Sequence, residues 1–204
     1  MALVVARYNE DIEWVKDFHT KYLYNKGNID TISDVLKQYT INLPNVGRES
    51  HTYLYHIIHN YDVLDDITIF TQGTYNDHCE MSVDKFRDVF SNIDAYSKNY
   101  IDSSCWGGYR RYYNFKIKYW TAEVKNEDKE YGPWFESVFN QPFNDSTIVY
   151  RGGIFSVSKS TILKRPKSFY EMLLKEVEYD NNPIEGHFME RSWLEVFCID
   201  SKLG

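Results

Sequence analysis

Two stretches of the chain place chemistry-bearing side chains directly behind a buried strand. The first is Leu3-Val4-Val5-Ala6, followed without a spacer by Arg7-Tyr8-Asn9-Glu10-Asp11. In an open α/β sheet, ligands bind outside the carboxyl ends of the strands. There Arg7 suits a phosphate, and the Tyr8 ring suits stacking on a base. The plainer alternative is a surface turn that caps a helix with Asn9 or Asp11. The second stretch is Ile67-Thr68-Ile69-Phe70, the clearest central strand, followed by Gln72-Gly73-Thr74-Tyr75-Asn76-Asp77-His78. A carboxylate beside an imidazole can hold a divalent cation of the Mn²⁺ or Mg²⁺ type, with phosphate oxygens completing its shell. Glu80 is a further candidate ligand, although Asp-His pairs are common and the dipeptide alone is weak evidence.

Two more segments carry polar chemistry. Leu43-Pro44-Asn45-Val46-Gly47 is a loop that opens a helix at Arg48. Gly47 lets the backbone close on a ligand, and the helix N-terminus behind it favours an anion. The duller reading is a helix start in which Glu49 serves the dipole. Near the C-terminus, Glu185-Gly186-His187-Phe188-Met189-Glu190-Arg191 opens a helix. His187, Glu190 and Arg191 share one of its faces, as they also would in an ordinary amphipathic helix with an intrahelical ion pair. His51, His56 and His59 lack HExxH spacing, and His56, His59 and His19 read as solvent-facing or core-edge residues. No GxSxG elbow, GxxxxGK[ST] loop or GxGxxG turn is present, and no cysteine has an activating local pattern.

These residues need elements to position them. Residues 2–7 read as a strand, 10–18 as a helix, and 21–24 as a second strand closed by Asn25-Lys26-Gly27. Together they form a compact βαβ unit whose crossover should be right-handed. A helix over 48–61, a strand over 66–71 and a helix over 82–90 capped by Ser82 follow. Residues 91–130 hold Trp106-Gly107-Gly108, a Tyr-rich basic patch over 109–119 and a charged, solvated stretch over 125–130. A helix over 131–139 and a strand over 147–150 lead into Gly152-Gly153-Ile154-Phe155. Three last helices, 159–165, 169–177 and 186–197, are separated by Pro166 and Pro183. The order predicts an α/β fold with a central mixed, mostly parallel sheet flanked by helices, in which an added antiparallel strand is normal. The edges after the first strand and the 66–71 strand should then lie side by side.

Bulk properties narrow the classes. The 204 residues suit one domain, or one domain with an appendage. A net charge of −7 argues against a general nucleic-acid binder, which needs a basic footprint. The 18 tyrosines suit a polar-rimmed cleft or a carbohydrate-facing surface, though most should simply fill half-buried positions. Cys79, Cys105 and Cys198 are far apart and odd in number, which argues against a disulfide framework and for a reducing, cytoplasmic compartment. No apolar run approaches the roughly 18 residues of a membrane span, and no signal peptide is visible. The end at Gly204 fits a natural terminus or a cut from a longer polypeptide.

Taken together, VVARYNED at 4–11, YNKG at 24–27, LPNVGRESHTYLYHI at 43–57 and TIFTQG at 68–73 resemble small GT-A-type glycosyltransferase domains. A closer likeness is to one that forms the N-terminal part of a chlorella-virus multidomain protein. The resemblance covers most of the chain, most densely 4–78 and 150–193. It implies a single GT-A-like domain over 1–204, a UDP-sugar donor such as UDP-glucose, a glycan acceptor, and Mn²⁺ (or Mg²⁺) bridging the diphosphate, in viral capsid glycan synthesis in the host cytoplasm. Ala6, Arg7 and Tyr8 carry over as nucleotide-side residues, with Gly47 and Arg48 behind them. Asp77 stands where such enzymes carry Asp-x-Asp, but residue 79 is Cys. The metal is therefore expected on Asp77 with His78, or on Asp77 with a distant ligand such as His187. Gly152 and Gly153 fall on the acceptor or donor-sugar side. Glu190 and Glu185 are the carboxylates expected to act as base toward the acceptor or to stabilise charge, with Asp102 a poorer third. A non-catalytic carbohydrate- or protein-binding module on the same fold, and a metal-dependent phosphodiester or nucleotide hydrolase, are the alternatives.

Overall fold

The computed structural model describes residues 1–76, 82–91, 109–111, 124–125, 128–144, 148–150 and 153–197. Its centre is a five-stranded sheet in the order β3-β2-β1-β4-β7. The strands are β1 (Ala2–Arg7), β2 (Lys21–Asn25), β3 (Thr40–Asn42), β4 (Ile67–Gln72) and β7 (Phe155–Ser158). All neighbours are parallel except β4 and β7. Two short strands, β5 (Tyr109–Arg111) and β6 (Ile148–Tyr150), form a separate antiparallel pair. The helices are α1 (Asp34–Lys37), α2 (Arg48–Asn60), α3 (Val83–Ser91), α4 (Tyr131–Phe139), α5 (Lys159–Ile162), α6 (Lys167–Val177) and α7 (Ile184–Val196). This is the mixed α/β fold expected, with a mostly parallel sheet flanked by helices. No helix among the described residues is long and apolar enough to cross a membrane.

β1 is buried along its whole length, as a central parallel strand covered on both faces must be. Its neighbours sit on opposite sides and arise from opposite directions of chain travel. The chain steps outward from β1 to β2 to β3, then returns to place β4 on the other flank. The gap between the carboxyl ends of β1 and β4 is thus the topological switch point, the usual ligand crevice of such sheets. The register aligns the ends: Ala6 pairs with Tyr24 and with Gln72. The two polar edges expected side by side therefore begin on adjacent parallel strands.

Residues 10–18, expected as a helix, contain a 3₁₀ turn at Glu13–Asp17. The buried Ile12, Val15 and Phe18 recur every third residue, which matches the three-residue turn of a 3₁₀ helix as well as one face of an α-helix. Residues 147–150 do contain a strand, β6, but it pairs with β5 rather than joining the main sheet. Ser82 caps α3 as expected, accepting a hydrogen bond from the Lys85 amide at 3.2 Å. Under the crevice, Tyr53 of α2, Phe70 of β4, Phe155 of β7 and Trp193 of α7 form one aromatic cluster with ring centroids 5.0–5.9 Å apart. That cluster ties α2 and α7 to the sheet, and both helices begin near its ligand edge.

Candidate functional site

A cavity of about 230 Å³ lies outside the carboxyl ends of β1 and β4. Ala6, Arg7, Tyr8 and Glu10 reach it from the end of β1, Gln72 and Thr74 from the end of β4, and Lys26 from the end of β2. Asn45, Arg48 and Glu49 close it from the loop and first turn of α2. Four of the five residues expected on the nucleotide side thus line one cavity. Gly47 does not. Tyr8 is 51% exposed at the rim, with its ring open for stacking.

Arg7 lines the cavity and is also engaged by the turns around it. It is 2% exposed, and its guanidinium donates to the carbonyls of Glu10, Tyr8 and Asn28, to Asn25 Oδ1 and to Thr31 Oγ1. It holds the turns after β1 and β2 together. Glu10 folds back in the same turn to accept from the Tyr8 amide at 2.6 Å.

The loop before α2 is held in an unusual backbone conformation. Gly47 (φ +62°) and Arg48 (φ +51°) are both left-handed. A Cβ on Gly47 would lie 2.6 Å from the Val177 carbonyl oxygen and 2.7 Å from His51 Cβ. Its amide donates to the Asp180 carbonyl at 2.8 Å. Gly47 thus lets the loop close on the end of α6. A left-handed conformation at a non-glycine residue is strained and persists where surrounding contacts impose it. Here Lys26 is one such contact: its Nζ donates to the carbonyls of Val46 and Arg48. Burial pulls the Lys26 ammonium down to about 7, with the Glu49 charge acting in the opposite direction.

Arg48 reaches from this loop across the first turn of α7. Its Cδ lies 3.5 Å from where a Cβ on Gly186 would be. Nη1 is 2.7 Å from His187 Nδ1 and 2.9 Å from Nε2. His187 Nε2 is also 2.9 Å from Asn182 Oδ1, which can only accept. The proton therefore sits on Nε2, and Nδ1 accepts from Arg48. Burial, then the charges of Arg48 and Arg191, pull His187 down to about 3, so the ring is neutral.

The inner wall is built over Gly153. Tyr53 Oη donates to the Gly153 carbonyl at 2.6 Å. A Cβ on Gly153 would meet Gln72 Nε2 at 3.2 Å and Glu49 Cγ at 3.3 Å. The Tyr53 hydroxyl is pushed well above its ordinary value by burial, then by the charges of Glu49 and Glu190. Glu190 is half-buried, with Oε2 3.6 Å from Arg191 Nη1, and does not line the cavity. Glu185 does not either. It is fully buried, with Oε1 taken by Lys129 Nζ and Oε2 by the Tyr179 hydroxyl at 2.5 Å. It anchors the start of α7.

For a metal, His187 fits poorly: both ring nitrogens have partners and a guanidinium lies against the ring. Among the described residues no group of three His, Cys, Asp or Glu could hold an ion. Asp77, His78 and Gly152 lie outside the described residues. Lys26, Gln72 and Thr74 were not singled out from the sequence, and Glu49 was read only as a helix-dipole residue. Lys26 and Gln72 obey the rule that flagged Arg7, a polar side chain just past a buried run.

A family model described as protein of unknown function (DUF3431) matches residues 3–202. No curated protein and no solved structure matches the chain.

Proposed function

We propose that this chain, which belongs to the DUF3431 family, is a glycosyltransferase that moves a sugar from a UDP-sugar to a hydroxyl of a glycan acceptor. The observation that carries the reading is the cavity at the switch point, with an exposed aromatic (Tyr8) and two cations (Lys26 and Arg48) around it. An aromatic beside cations suits a base linked to a diphosphate. In the transfer, the acceptor oxygen bonds to the anomeric carbon while the bond to the diphosphate oxygen breaks. Lys26 and Arg48 stabilise the leaving diphosphate, as fixed cations do where negative charge develops. The acceptor proton passes to a carboxylate, and Glu190 is the residue proposed for it; because Glu190 lies on α7 outside the cavity wall, the acceptor would have to enter from the α7 side. Mn²⁺ (or Mg²⁺) held by Asp77 and His78 would add charge neutralisation on the diphosphate. The proposed setting is cytoplasmic, in viral glycan synthesis.

Calorimetric titration with UDP, with and without Mn²⁺, tests the reading, followed by turnover on a UDP-sugar panel. Binding of UDP and donor-dependent UDP release in the presence of a glycan are expected. Binding without turnover for every donor and acceptor would instead mark a carbohydrate- or protein-binding module. Cleavage that needs no acceptor would mark a hydrolase. Equal UDP affinity with and without Mn²⁺ would remove the metal from the proposal.

A further inference from the structure

Glu49 carries an unanswered buried oxygen. The residue is 8% exposed, and its Oε2 lies 3.6 Å from Arg48 Nε. Oε1 is buried and has no hydrogen-bond partner among the described residues. An orphaned buried acceptor is costly to a fold, and Glu49 is the cavity-lining residue, among those described, that carries one. An ionised carboxylate only accepts hydrogen bonds, so the missing group is a donor. A phosphate, itself an acceptor, does not supply one. A hydroxyl does.

The surroundings narrow the ligand further. Glu49 Cγ and Gln72 Nε2 meet over Gly153, where a side chain would crowd both at 3.3 and 3.2 Å. Tyr53 fixes that backbone patch through its 2.6 Å bond to the Gly153 carbonyl. An acceptor-only carboxylate beside an amide that both donates and accepts matches adjacent hydroxyls, each of which donates and accepts. We propose that Glu49 and Gln72, over Gly153, form a subsite for the vicinal hydroxyls of a sugar ring, with Glu49 Oε1 accepting from one of them. This deepens the UDP-sugar reading and rests on it for which ring is bound, the ribose or the transferred sugar.

Glu49→Gln keeps the side-chain shape and removes the charged acceptor. UDP and UDP-glucose are titrated calorimetrically into both proteins, and methyl glucoside is followed by saturation-transfer NMR. The expected loss is about ten- to a hundredfold in affinity, with the melting temperature changed by no more than a few degrees. A loss already seen with UDP assigns the ribose; a loss confined to UDP-glucose assigns the transferred sugar. If the wild type ignores both nucleotides but contacts methyl glucoside through Glu49, the subsite stands and the nucleotide reading falls. Equal behaviour of wild type and variant toward every probe overturns the subsite, as does a wild type that contacts none of them. Gln72→Ala, expected to weaken the same ligand, gives an independent readout should Glu49→Gln fail to fold.

Discussion

Proton uptake on binding reports directly whether an anion enters beside Lys26. In the free protein, burial holds the Lys26 ammonium near 7, and its Nζ bridges the Val46 and Arg48 carbonyls under the α2 loop. A diphosphate in the cavity favours the charged amine and should raise its pKa to about 8 or 9. At pH 8 the occupancy of that proton then climbs from about 0.1 to between about 0.5 and 0.9, an uptake of about 0.4–0.8 proton per UDP bound. Calorimetry in buffers of different ionisation enthalpy reads this number as a slope. The sign also fixes the pH profile. Because the bound state holds the proton more tightly, UDP affinity should fall about tenfold between pH 7 and 9. Lys26→Arg keeps a cation that does not titrate in this range, so it should bind UDP with a slope near zero and a flat profile. A wild-type protein that binds UDP with no proton uptake at pH 8 would refute the placement of the diphosphate beside Lys26.

Three further outcomes test the surrounding structure. Because Arg48 is left-handed at φ +51°, Arg48→Gly should be about 1 kcal/mol more stable than Arg48→Ala in urea unfolding, while both lose UDP affinity; equal stability would remove the strain. Glu185→Ala leaves the Tyr179 hydroxyl and Lys129 without their buried acceptor and should cost about 2 kcal/mol of stability, discounted because Lys129 is half exposed, with UDP affinity unchanged; the opposite pattern would return Glu185 to the reaction. His56 is pulled down to about 3 by burial, so between that value and about 6.5 the unfolded chain binds a proton that the folded chain does not. Stability should therefore fall on acidification through that window, by up to about 1.4 kcal/mol per pH unit from this residue. His56→Gln should flatten the fall in urea midpoints between pH 6.5 and 4.5, and an unchanged slope would mean His56 is not the proton acceptor.

The parallel centre of the fold was legible because its strands are short β-forming runs that stop at polar residues. β1, β2 and β4 all have that shape, and the helix from Arg48 was plain from Tyr53, Leu54, Ile57 and Ile58 on one face. The 10–18 segment misled because a three-residue apolar repeat serves two kinds of helix, and the chain must already re-enter the sheet at Lys21. The small elements over 28–42 went unread. β3 is three residues long, lies at the sheet edge, and shows no buried alternation. The site was legible as strand ends but not as contacts. Glu49 and Gln72 meet at Gly153, and Arg48 meets His187, across distances in the chain that no local pattern encodes. His187 stands out in the sequence as part of a polar stripe with Glu190 and Arg191, and Glu185 as a carboxylate at the start of the same helix. Glu185 is held by Tyr179 and Lys129, and His187 lies against Arg48.

The position of Glu49 also bears on where an anion would sit near Gly47. A helix N-terminus favours negative charge, and the first turn of α2 already has the buried Glu49. A ligand phosphate placed there would meet Glu49. The cavity is therefore divided: Tyr8, Lys26 and Arg48 offer ring and cation, while Glu49 offers an acceptor over the Gly153 backbone. Such a division suits a ligand with one anionic part and one hydroxylated part, and suits poorly a simple anion or a simple polyol. It also ties ligand and scaffold together. Arg48 stands on a strained backbone and leans on Gly186 and His187, so an anion that draws Arg48 into the cavity must loosen its contact with the first turn of α7. Glu190 lies one turn further along that helix. His187→Ala removes that competing contact and should then strengthen UDP binding, whereas His187→Asn, which keeps an acceptor on a shorter side chain, should strengthen it less. If both variants bind UDP as the wild type does, the anion does not draw Arg48 away from α7.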